Sequence, residues 1–143
     1  MTTSREWLAA LSEKVRLKNE RVRRLEGNGE KAVDELRAAV EKDVEYINRE
    51  VYLHEDPLQV HADSAFGFRV TNTNTQEMSL VELRPKDETL YVDTPRRRPL
   101  ILFADSGGSG DVLFSTDSER RVSAEELSRL ILEPLVKSEY GLD

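Results

Sequence analysis

The sequence predicts one α+β domain over residues 1–143, in the order helices, antiparallel sheet, helix. Three observations carry this. Apolar residues in segment 1–52 recur every three or four positions, the spacing of a helix face, and the first fifty residues hold no proline. In segment 53–118 the spacing shortens to two, as on a strand with one buried face, and all four Phe lie there. Segment 123–140 opens with Ser123-Ala-Glu-Glu126 and continues as a wide apolar stripe, the signature of a capped, buried helix.

Composition bounds the function. The 143 residues are 38% apolar and 34% charged, enough for one core. No apolar run approaches the roughly 18 residues that cross a bilayer, and the start MTTSREW lacks the apolar stretch of a secretory signal. A soluble cytoplasmic protein without membrane contact is therefore expected. Cys is absent, which excludes disulfides, thiolate catalysis and Cys-based metal sites. With only His54 and His61, a His-rich metal centre is excluded too, and no cofactor is expected. The net charge of −7 argues against nucleic acid as a partner. That charge is unevenly placed: residues 1–50 carry 11 basic and 11 acidic side chains, residues 51–143 carry 10 and 17.

Thr3 and Glu6 fit a capping box, which starts the first helix. Leu8, Leu11, Val15, Val22 and Leu25 follow as a heptad-like stripe of coiled-coil type, with Lys18 at one expected apolar position. A second stripe runs Val33, Leu36, Val40, Val44, Ile47 and Val51, shifted by four residues from the heptad extrapolation of the first. Between them stands Gly27-Asn28-Gly29. Two glycines cost a helix interior about 2 kcal/mol relative to alanine, and Gly27 suits the left-handed residue that ends a helix. The expectation is a helical hairpin turning at Gly27–Gly29; the alternative is one long helix passing through a four-residue stutter. The basic stretch Lys14, Arg16, Lys18, Arg21, Arg23, Arg24 reads as a solvated face supported by a Glu20–Arg24 pair.

Asp56-Pro57 breaks the helical pattern. Val60 and Ala62, then Phe66, Phe68 and Val70, alternate with polar residues as one bent strand or a pair. Thr71–Gln76 is a polar turn, and Ser79–Leu83 and Thr89–Val92 form a hairpin around Arg84-Pro85-Lys86-Asp87-Glu88. The continuous run Leu100-Ile101-Leu102-Phe103 predicts a central strand covered on both faces. Asp105–Asp111 then reverses the chain into Val112–Phe114. Short connections require antiparallel neighbours, so a meander of four or five strands is expected. In the last helix Leu127, Leu130, Ile131, Leu132, Leu135 and Val136 face the sheet, and Pro134 is expected to kink or restart it after Leu130.

Few residues carry chemistry. The glycine-rich loop Asp105–Asp111 has no Lys and leads into a strand, so it lacks the helix N-terminus that phosphate binding needs. It also lacks the alternating oxygen ligands of a calcium loop. His54 and His61 have no third ligand at a metal-binding spacing, and Ser106, Ser109 and Ser115 have no nucleophile-elbow context. Two candidates remain. Arg96, Arg97 and Arg98 lie between Pro95 and Pro99, which should hold the connection extended and present three guanidiniums to an anionic partner. Trp7 is read as a packing anchor, or, if exposed, as part of a contact surface.

These features predict a non-enzymatic protein-interaction module, adaptor- or chaperone-like, whose partner is another protein or a second copy bound through the N-terminal helices. The competing class is a binder of, or enzyme acting on, a small anionic ligand. Its pocket would lie between sheet and helices, with Arg69, Arg84 and Tyr91 or Arg96–Arg98 orienting the ligand.

Overall fold

A computed structural model describes residues 5–107 and 110–142. Thr3, of the proposed N-terminal capping box, and Ser109 lie outside the described residues. Helix α1 runs unbroken from Glu6 to Glu50, about 67 Å at 1.5 Å per residue. The hairpin expected at Gly27–Gly29 does not form. Five turns of an α-helix take 18 residues. Leu11 and Gly29, Val15 and Val33, and Val22 and Val40 are each separated by that interval. The shift of four residues is thus the correction a straight helix needs to keep both stripes on one face. Gly29 is buried against the sheet, where a Cβ would collide with the Leu83 side chain and press on Phe66. Its missing side chain permits close approach of helix and sheet, and that packing offsets the propensity cost.

Seven strands follow: β1 Leu58–Ser64, β2 Gly67–Asn72, β3 Glu77–Arg84, β4 Thr89–Asp93, β5 Leu100–Ser106, β6 Val112–Ser115 and β7 Arg121–Val122. They form one sheet in chain order, each antiparallel to the next. The excess over the expected four or five has two sources. The stretch from Val60 to Val70 is two strands joined by a tight turn that holds Phe66, and β7 is two residues long, too short to show an alternation. A 3-10 turn at Pro85–Asp87 joins β3 to β4 and ends on Glu88 in the left-handed conformation.

Helix α2, Ala124–Tyr140, starts on Ser123, whose hydroxyl accepts from the Glu126 N–H at 3.1 Å. It does not restart at Pro134, which is buried within it. Leu127, Ile131, Leu132 and Leu135 bind the turns on both sides of the proline to the core. Gly141, at φ 64°, closes the helix.

Both helices cover the same face of the sheet. The core is built from Leu25, Val33, Leu36, Val40 and Val44 of α1, the apolar face of α2, and Phe68, Val70, Val81, Leu83, Leu90, Val92 and Leu102. Buried polar groups pin the layers. Ser79 donates to the Ile131 carbonyl at 2.8 Å and the Asn72 amide donates to the Leu135 carbonyl at 3.3 Å. Asn48 brackets Leu58, donating to its carbonyl and accepting from its N–H. Ser128 joins α2 to Asp43 of α1 at 2.6 Å. Each spends a polar side chain on one inter-element position, so helix register and helix rotation are set together.

Among the described residues no helix lies over the far face of the sheet. Strand β5, expected to be covered on both sides, therefore buries Leu102 while Ile101 and Phe103 remain 59% and 56% exposed. The continuous apolar run was ambiguous because alternation is hidden when both faces carry apolar residues.

Candidate interaction surfaces

The N-terminal part of α1 extends past the sheet. Its last sheet-side anchor is Glu88 at the β3–β4 turn, which receives Lys18 at 2.5 Å and Arg21 at 2.6 Å. Burial works to raise the Glu88 carboxyl; the two cations outweigh it and hold it below the ordinary carboxylate range. Residues 5–17 are exposed throughout, and from Glu6 onward they make up about 18 Å of helix uncovered by the other described residues. Leu8, Leu11 and Val15 continue the line of the buried stripe and are about half exposed, with none of the described residues packed over them. Trp7 is 62% exposed, so it is not a packing anchor within the chain. The basic stretch is partly neutralised: Arg16 is gripped by Glu13 and Glu20. Glu20 therefore pairs with Arg16 rather than with Arg24.

A second apolar opening lies where α1 ends beside α2. This groove of about 420 Å³ is walled by Tyr46 and Ile47 from α1, Val51 just past its end, and Leu132 and Val136 from α2. Asp43, Arg129, Glu133 and Lys137 stand along it. Lys137 and Arg129 flank Glu133 and bring its carboxyl down to about 2. The helical spacing of Ile47 and Val51 announced an apolar face at the end of α1. Only the helix packing makes it a groove with α2.

Arg96, Arg97 and Arg98 are exposed on the β4–β5 connection. The flanking prolines do not keep it extended, since Arg96 takes a left-handed conformation at φ 64°. Arg96 lies 3.9 Å from Glu77. Arg97 lines two shallow clefts on α2, one of about 320 Å³ with Arg120 and Arg129 and one of about 240 Å³ with Lys137 and Ser138. In the first, Arg120 and Arg129 are already paired with Glu126 and Glu133.

The uncovered sheet face holds the other residues considered for ligand binding. Tyr91 pairs across strands with Ile101, and Phe103 lies opposite Thr89. The Arg84 guanidinium sits 4.1 Å over the Tyr91 ring and is hydrogen-bonded to Glu82. Arg69 pairs with Asp63 on the same face. Arg69 and Tyr91 are thus on the side away from the helices, while Arg84 borders an open cleft of about 680 Å³ with Glu26 of α1, Phe66 and Leu83.

His61 contacts the Thr71 hydroxyl at 3.1 Å on that outer face, and His54 is exposed at φ 73° after α1. Among the described residues no three His, Asp or Glu come together in a way that could hold a metal. One polar cluster was invisible in the sequence. Glu139 receives the Tyr52 hydroxyl, Asn72 and Asn74 at 2.8, 2.8 and 3.0 Å. Burial works to raise Glu139, but these donors prevail and hold it below the ordinary range. The phenol of Tyr52 is pushed up by burial and by donating to Glu139. The cluster ties the chain just past α1 and the end of β2 to α2 at one corner, and every member is engaged within it.

Comparison with protein families, with curated proteins and with solved structures finds no match for this chain.

Proposed function

We propose that this chain is a non-enzymatic interaction module of the cytoplasm, adaptor- or chaperone-like, that associates with a second copy of itself through the N-terminal part of α1. One observation carries the reading. Trp7, Leu8, Leu11 and Val15 are between 46% and 62% exposed on a rigid helix whose next turns are buried in the core. Burying a Leu or Val side chain is worth about 1.5–3 kcal/mol, so such a stripe gains by finding a cover. A helix preformed by its own C-terminal half also loses little entropy when it docks. The Arg96–Arg98 loop supplies a separate contact for an acidic partner segment.

The test is solution mass by light scattering after size exclusion at two protein concentrations. Wild type is expected to exceed one chain mass of 16.4 kDa and to rise with concentration, while Leu11→Asp stays at one. A compact wild-type monomer at high concentration overturns the proposal.

A further inference from the structure

Building on that proposal, we infer what covers the exposed stripe: the N-terminal part of α1 of one copy docks in the α1–α2 groove of a second copy. Charge is the first argument. Residues 5–24 hold seven basic and three acidic side chains, a net of +4, of which Lys18 and Arg21 are held by Glu88 of the same chain, and the rest of a chain of net −7 carries −11. Two such segments coiled on each other would bring +4 against +4, with Lys14 and Arg21 beside the seam. The charged side chains along the groove balance, Asp43 and Glu133 against Arg129 and Lys137, but the helices that form it are acidic: residues 41–51 carry four acidic against two basic side chains, and α2 carries four against two.

Shape is the second argument. The segment presents Leu8, Leu11 and Val15 as one helical row, and the groove is an apolar trough between two helices, the receptor geometry for such a row. Tyr46 and Val51, on its rim, are 58% and 44% exposed. The two surfaces lie near opposite ends of α1, too far apart on one rigid helix for a chain to fill its own groove. A copy that lends its segment still has an open groove, so a twofold pair can make the contact twice.

The experiment uses two full-length variants. Leu11→Asp spoils the segment and keeps the groove. The double variant Tyr46→Lys, Val51→Lys spoils the groove by repelling a basic helix and keeps the segment. Both sets of positions are exposed, and matching circular dichroism and melting curves verify that each variant folds. Expected masses are one chain for each variant alone and two for their equimolar mixture, because the mixture restores one segment and one intact groove. Raising NaCl from 50 to 300 mM should weaken wild-type association several-fold, since opposite charges are being screened.

If wild type associates and Leu11→Asp abolishes it, but the double groove variant still associates, the segments pair with each other. That outcome refutes the groove and leaves the proposed function standing. Association that tightens with salt over that range refutes the groove in the same way. A monomeric wild type refutes both.

Discussion

Gly27 and Gly29 sit two positions apart in α1, and the structure assigns opposite signs to the same substitution at each. Replacing glycine by alanine in a helix interior is worth about 1 kcal/mol of propensity. At Gly27 a Cβ meets nothing within 4 Å, so Gly27→Ala should stabilise by about that amount. At Gly29 the same methyl runs into Leu83 and lies 3.1 Å from a Phe66 ring carbon. Leu83 is 2% exposed, and its Cδ2 and the Phe66 ring must both shift to admit the methyl. Overpacking of this kind costs about 1–3 kcal/mol, so Gly29→Ala should come out between neutral and about 2 kcal/mol destabilising. The assay is thermal and urea unfolding at one fixed protein concentration, since self-association adds its own term to stability. For a chain of this size 1 kcal/mol moves the melting temperature by about 3–4 °C. If Gly27→Ala is destabilising, the glycine holds a left-handed turn and α1 is not one helix. If Gly29→Ala stabilises as much as Gly27→Ala, the close approach to Leu83 is refuted.

Three further outcomes follow from named groups. Trp7 is the single tryptophan of the chain and is exposed. Its fluorescence should be red-shifted in dilute protein and move to the blue as concentration drives association, with no such shift in Leu11→Asp. Asn72→Ala removes the donor to the Leu135 carbonyl and to Glu139. It leaves a buried gap and should cost about 2–3 kcal/mol in urea unfolding; a loss below about 0.5 kcal/mol would mean that the tie to α2 is not made. The carboxyls of Glu88, Glu133 and Glu139 are lower when folded than their ordinary value of 4.5. Their contribution is therefore complete above that value and is lost as pH falls through the folded values, down to about 2 for Glu133. Stability should decline from below pH 4.5, and Glu88→Gln should make the decline shallower; an unchanged slope in that variant would remove Lys18 and Arg21 as the cause.

The order helix, antiparallel meander, helix was legible because it rests on near-neighbour physics. The change of apolar period after Asp56, the short polar turns and the Ser123 capping box each act within a few residues. The same locality explains the errors. Gly27-Asn28-Gly29 is a helix breaker by propensity, and nothing in the sequence said that Leu83 and Phe66, more than thirty residues away, need the space. Likewise Leu100–Phe103 is apolar on both sides whether one face is covered or two.

By itself, then, the sequence determined the order of helical and strand-forming stretches, the apolar stripe of each helix, and that a basic helical segment precedes an acidic remainder. Only the tertiary structure decided where the cover stops. The sheet ends at Glu88, against Lys18 and Arg21, and leaves Leu8, Leu11 and Val15 outside. It also decided that Ile47 and Val51 meet Leu132 and Val136 to open a groove. The physical reason is that an apolar pattern specifies burial without specifying the partner. Here α1 is longer than the sheet it packs on, so part of one continuous stripe is core and part is surface.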